Sequence, residues 1–324
     1  MNFGSSCAPE QARNPVKRPM AFAAGPLLAL AATRPRFLTI TAVAVLVGLA
    51  GAAGGGVPID RGRAVLTLLG AVLAHAGANL VNDYHDRDAD AGNTERLHPF
   101  TGGSRLIQDG LLGARTVALY GYGLLAATAV LGAALALAGR PQLWVLGALG
   151  LLLAIAYSAP PLRLAARGAG EFVIAAAWLL VVAGTDIAQR GGWSAAPLAA
   201  GVPVALLVAA ILHVNGFPDR AADAAAGKNT IVVKLGPSGA ARVYLALVSA
   251  AYLWLGAAVM AGALPIPALA GLLAAPLSLF AARQLVVHAG RAPTSRLLPA
   301  IKATIAAAHL HGLLVAAALA LSAA

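Results

Sequence analysis

Four aspartates fall within eight residues of the stretch VNDYHDRDADAGNT at 81–94: Asp83, Asp86, Asp88 and Asp90. A mainly apolar run, residues 64–81, ends in this stretch. Carboxylates at the end of a hydrophobic segment are costly, so the cluster is read first as a functional site. Asn82, Asp86 and Asp90 are spaced by four. On a helix each such step turns about 40° past a full turn and rises about 6 Å, so the three oxygen-bearing side chains share a face. Hard divalent cations take that kind of ligand. Like charges at this spacing repel, which calls for a cation nearby. Asp88 lies off that face and is expected to be solvated.

The spacing recurs. Asn215, Asp219 and Asp223 repeat it, and DRDAD at 86–90 matches DRAAD at 219–223. Two such clusters facing each other can hold one or two Mg²⁺ ions. Mg²⁺ is usually held by one or two carboxylates plus substrate phosphates, so a metal-bridged diphosphate is the natural ligand. Nearby stretches carry cations suited to phosphate oxygens: Arg105 in TGGSRLIQDG, Arg163 in YSAPPLRL and Lys228 in AAGKNT. Backbone N–H groups of Gly102 and Gly103 add donors. Arg87 and Arg220, each beside a motif aspartate, balance charge. A diphosphate at the mouth of an apolar bundle implies a lipid tail among the helices. Diphosphate then departs, an allylic cation forms, and an acceptor carbon attacks it in a cavity that excludes water.

The elements that must position these residues are membrane helices. Of 324 residues, 60% are hydrophobic and 11% charged, unlike any ordinary soluble domain. Nine segments are expected to span a bilayer: 37–56, 63–83, 115–139, 141–158, 170–190, 194–216, 239–262, 264–286 and 297–322. The chain is therefore read as all-α, a multi-pass bundle. Residues 1–36 form a tail with a short interfacial helix at 22–33, and 37–322 form one domain of two four-helix repeats plus one helix. With the N-terminus in the cytoplasm, nineteen of the 23 lysines and arginines fall in cytoplasmic segments. The net charge of +11 then reflects topology, and nucleic acid is not an expected partner. Both motifs face the cytoplasm. Cys7 is the only cysteine, so no disulfide or cysteine metal site is expected.

Other polar residues read more blandly. His75, seven before Asn82 on a similar face, could touch the acceptor or act as a base, with packing or a backbone hydrogen bond as the blander reading; His213 could tune the second motif, with the same blander reading. His309 and His311 point to different faces and make a poor metal pair. Asp186 is expected to be solvated at the outer end of the fifth span. Glu171 suits a helix N-terminus and could orient an acceptor hydroxyl.

These residues resemble the UbiA superfamily of intramembrane prenyltransferases. NDYHDRDAD is similar to its first aspartate-rich motif and NGFPDRAAD to its second. AAGKNTIVVKLG at 225–236 and YSAPPLRLAARGAGE at 157–171 resemble its cytoplasmic loops. The resemblance implies a ring of nine helices around a cavity open to lipid. It implies Mg²⁺ and diphosphate held by Asn82, Asp86, Asp90, Asn215, Asp219 and Asp223, with Asp83 assisting. Tyr157 would sit by the reacting allylic carbon, and Lys228 and Arg163 would contact diphosphate. PFTGGSRLIQDGLL at 99–112 with GAGE at 168–171 is most similar to the 1,4-dihydroxy-2-naphthoate branch of menaquinone synthesis. Homogentisate, chlorophyllide and 4-hydroxybenzoate are the alternative acceptors. The last is disfavoured by Pro161, where that branch has a lysine. The expected partners are thus a polyprenyl diphosphate, an aromatic acceptor and the bilayer of a bacterial inner membrane. A transporter or cation channel is the competing class. Against it, the acidic motifs sit at helix ends and few charges lie deep in the spans.

Overall fold

The computed structural model describes residues 25–291 and 293–322. Short α1 (Pro26–Ala32) precedes α2 (Pro35–Gly54), α3 (Arg61–His85), the one-turn α4 (Arg87–Ala91), α5 (Ala114–Leu137) and α6 (Gln142–Ala156). Then come α7 (Gly170–Arg190), α8 (Ala195–Ala225), α9 (Ile231–Met260), α10 (Ala275–His288) and α11 (Leu298–Leu321). A 3-10 stretch, Ile266–Ala274, leads into α10 and completes that span. No strand occurs among the described residues.

All nine expected segments are helical, and eight are long and apolar enough to cross a bilayer. The exception is α6, which has 15 residues where 18 were expected. At 1.5 Å per residue it reaches about 22 Å, short of a hydrocarbon core of about 30 Å. Two other boundaries differ for local reasons. The sixth helix runs to Ala225 rather than 216, carrying the whole second motif on one continuous helix despite Pro218. The seventh starts at Ile231, where Thr230 caps Val233 N; it then kinks at Gly236 (φ 66°) before Pro237. That kink interrupts the apolar pattern and hides the first turn from a sequence reading. The short helix expected at 22–33 corresponds to α1, and residues before 25 lie outside the described part.

Each spanning helix packs on the next, and α11 returns to α2, so the ring closes. The interior is not evenly hollow, however. α2 packs across the ring on α7 and α8, and α11 packs on α8. These contacts build the main core, with Val47, Val204, Leu207, Tyr244, Leu255, Leu285 and Ile301 buried. Small residues permit the closest approaches. A Cβ on Gly77 of α3 would come within 2.9 Å of the Gly121 carbonyl on α5. Outward-facing Val65, Leu119, Val145, Phe172, Leu253 and Val286 remain exposed, as a lipid-facing surface requires.

The filled half leaves the cavity off-centre. It is bounded by α2, α3 and α5 to α8, with Ile305 and His309 from α11, Val232 from α9 and nothing from α10.

Candidate active site

The cavity measures about 440 Å³. Its walls are apolar, including Leu131, Leu135, Leu146, Val181 and Ile211. Its mouth carries Asn82, Asp86, Asp90, Tyr157, Asn215, Asp219, Asp223 and Lys228. The first motif straddles a bend: α3 ends at His85 and Asp86 has φ −96° and ψ 2°. The hydrogen-bond pattern nevertheless continues, Asp86 N donating to Asn82 O at 2.8 Å and Asp90 N to Asp86 O at 2.9 Å. The four-residue spacing thus keeps its meaning through the break. The second motif needs no such repair, because α8 is continuous there.

The cation demanded by the repelling carboxylates is Lys228. Its Nζ lies 2.9 Å from Asp86 Oδ2 and 3.3 Å from Asp223 Oδ1, joining the two motifs. Burial works to lower its pKa, but Asp86 and Asp223 outweigh it and hold the ammonium above its usual value. Asn82 Nδ2 also donates to Asp86 Oδ2, at 2.7 Å. Asp90 lies against Gly103, whose φ of 71° suits glycine and where a side chain would run into the Asp90 carboxylate. Burial pushes the Asp90 carboxyl up to about 7; Arg34 pulls it down and the Asp86 charge adds to the rise.

Several residues that the sequence reading passed over complete the site. Arg34, between α1 and α2, pairs with Asp83, which is 3% exposed. Ser104 N also donates to Asp83, at 3.3 Å. Asn93 Nδ2 donates to Asp219 Oδ1 at 2.5 Å. Arg34 is one of the cations that cytoplasmic topology alone accounts for, and Asn93 follows the carboxylates of the first motif. Neither spacing nor composition links either residue to its partner, 49 and 126 positions away.

Other expectations change. Arg163 is exposed, with φ 43°, and does not line the cavity. Its loop turns back on itself through Arg163 N to Ala159 O at 3.0 Å and on the end of α6 through Leu164 N to Ala156 O at 2.9 Å. Arg105 holds the loop instead, donating to Asp90 O at 2.8 Å and facing Asp109 at 3.7 Å. Asp186 is not solvated. It is 2% exposed and gripped by Arg190 at 3.0 Å, because α2 packs on that end of α7, its Gly51 carbonyl also accepting from Arg190. Asp88 is exposed. His75 Nδ1 meets Thr41 Oγ1 at 2.7 Å, with the ring edge-on to Trp178. His309 meets Thr39 and His311 meets Gly271 O, on separate sides of α11. His213 hydrogen-bonds Glu171 at the cavity wall.

The mouth suits a hard cation. Its donors are carboxylate and amide oxygens, and Asn215 Oδ1 is buried without a hydrogen-bond partner, an acceptor left for a ligand. Among the described residues no three His, Cys, Asp or Glu side chains converge into a cage.

Comparison with known proteins agrees with this geometry. The UbiA prenyltransferase family matches residues 41–307. A 1,4-dihydroxy-2-naphthoate octaprenyltransferase of Mycobacterium tuberculosis is 32% identical over 293 residues, covering 89% of this chain and 94% of that protein. The Escherichia coli protein of the same name is 30% identical over 228 residues, covering 67% and 71%. A UbiA homolog from Aeropyrum pernix K1 superposes with a TM-score of 0.68 at 20% identity, over 85% of this chain and 96% of that one. A homolog from Archaeoglobus fulgidus, solved with DMAPP and Mg²⁺, gives 0.58 at 19% identity, over 89% and 98%. With its helical bundle, its paired acidic motifs and this family match over most of its length, the chain belongs to the UbiA prenyltransferase family of membrane enzymes.

Proposed function

We propose that the chain transfers a polyprenyl group from a polyprenyl diphosphate to 1,4-dihydroxy-2-naphthoate, with loss of carbon dioxide, on the cytoplasmic side of a bacterial inner membrane. The observation that carries the reaction is the meeting of two acidic motifs through Lys228 at the mouth of an apolar cavity. The acceptor rests on the relatives named above. The membrane side rests on the loop charges.

Asn82, Asp86, Asp90, Asn215, Asp219 and Asp223 would hold Mg²⁺, which when bound neutralises charge growing on the leaving diphosphate. The Archaeoglobus homolog, bound to DMAPP and Mg²⁺, supports the use of Mg²⁺ with a prenyl diphosphate. Lys228 grips the diphosphate as a point charge. Asp83 holds Arg34 at the mouth and so assists from behind the motif. Tyr157, at the end of α6, faces the allylic carbon. The apolar walls take the first units of the tail and exclude water from the cation. Arg105 would serve by fixing the loop over Asp90, and Arg163, outside the cavity lining, would reach the diphosphate only by a movement of its loop.

A panel of naphthoate, hydroxybenzoate, homogentisate and chlorophyllide, each with one labelled prenyl diphosphate and mass readout, tests the reading. Prenylated, decarboxylated naphthoate is the expected product. Product from another ring alone would overturn the acceptor assignment.

A further inference from the structure

The acidic residues lining the cavity are Asp86, Asp90, Asp219, Asp223 and one more, Glu171. The first four belong to the motifs. Three of these have fixed partners: Asp86 and Asp223 share Lys228, and Asp219 takes the Asn93 amide. Glu171 stands apart, in the first turn of α7. Its Oε1 lies 2.7 Å from His213 Nδ1, and its side chain is 12% exposed. Its Oε2 has no hydrogen-bond partner among the described residues and is not among the fully buried atoms. It is a carboxylate oxygen open to the cavity.

His213 is built to hold it there. The imidazole is enclosed, Nε2 lies 2.8 Å from the Ala240 carbonyl, and Phe217 packs edge-on at 5.6 Å. With both ring nitrogens engaged, the ring cannot turn, and Oε1 is kept on it. Glu171 is also close to the reacting end. The charged neighbours of the Tyr157 phenol include Asp86, Glu171 and Asp223. His75, another polar group of the wall, is seven residues before Asn82 on α3, about 10 Å deeper along the helix. Its Nδ1 is already taken up by Thr41 Oγ1, at 2.7 Å.

We propose that Glu171 is the base that ionises the acceptor, with His213 as its positioning residue; this deepens the naphthoate reading and rests on it. The acceptor hydroxyl passes its proton to Glu171 Oε2. The freed oxygen pair pushes into the ring, and the adjacent carbon, which bears the carboxylate, bonds to the allylic carbon. The C–O bond to diphosphate breaks and diphosphate leaves with its electron pair. The former hydroxyl is now a ketone β to the carboxylate. Carbon dioxide leaves, its bonding pair restores the ring, and the oxygen takes the proton back from Glu171. The base ends as it began.

Steady-state kinetics of the full chain with Mg²⁺ and both substrates test this. Glu171→Gln is expected to lower kcat about 100-fold, the lower range for a positioned base, with KM for prenyl diphosphate unchanged. A ring-fluorinated naphthoate, whose hydroxyl is more acidic, should recover most of that loss. Glu171→Asp, which keeps a carboxylate, should fall between the two and serves if the glutamine variant does not fold. His213→Asn, which keeps a donor towards Glu171, should retain more turnover than His213→Leu, and the fluorinated acceptor should narrow that gap. Wild-type kcat in Glu171→Gln, an equal loss with both acceptors, or a loss confined to KM for prenyl diphosphate would overturn the assignment. If the wild-type chain prenylates another ring and never naphthoate, the acceptor reading itself fails, a result visible before any variant is made.

Discussion

Asp86 and Asp219 sit at the same place in their two motifs, yet their neighbours differ. Asp86 shares its carboxylate between Asn82 and Lys228, while Asp219 takes the Asn93 amide. Both are proposed to meet Mg²⁺, so Asp86→Asn and Asp219→Asn should each cut Mg²⁺-dependent diphosphate release at least about 100-fold. Circular dichroism should remain that of the parent. Near-normal release in either variant would remove the two-motif site. Lys228 screens Asp86 from Asp223 and, in the proposed reaction, also meets the diphosphate. Lys228→Ala should raise KM for prenyl diphosphate about tenfold and leave that for the acceptor unchanged, one lost charge-assisted contact being worth about 1.4 kcal/mol or more. An unaltered diphosphate KM would take Lys228 off the substrate. At this scale the carboxylates were legible, because four-residue spacing is a property of one helix. Their partners were not.

The helices carry a second set of constraints, of packing rather than chemistry. α3 must lie close to α5 for its end to deliver the first motif, and Gly77 and Gly121 allow it. Gly77→Val would drive a branched side chain into the Gly121 carbonyl and Leu125. A destabilisation of about 1–3 kcal/mol is expected, the usual cost of overpacking, read as a lower Tm in detergent. An unshifted Tm would mean that α3 and α5 can separate without cost. Element positions were visible in hydropathy to within a few residues, since length and apolarity are local. The ends of α8 and the start of α9 were misjudged because polar residues or a kink mask continuing helix there.

Across the whole molecule, the proposed Mg²⁺ residues lie at a cavity mouth, while the main core is built from apolar contacts between α2, α7, α8 and α11, so a metal is not expected to hold the bundle together. EDTA should abolish turnover while leaving circular dichroism and Tm unchanged, and added Mg²⁺ should restore activity. A collapse of helicity on chelation would mean that the ion is structural. The eccentric cavity follows from α2 and α11 packing on α8, which fills one half of the ring and leaves the other for substrate.

By itself the sequence determined the class of molecule, the spans, the two acidic motifs and the need for a cation beside them. Each follows from composition or from helical periodicity over a few turns. Only the tertiary structure decided that Lys228 is that cation, that Arg34 covers Asp83, that Arg163 lies outside the cavity and that Asp186 is buried on Arg190. It also left Glu171 on the wall with a free oxygen. Those outcomes depend on which helix faces meet, and contacts between residues far apart in the chain are set by packing, which no local pattern encodes.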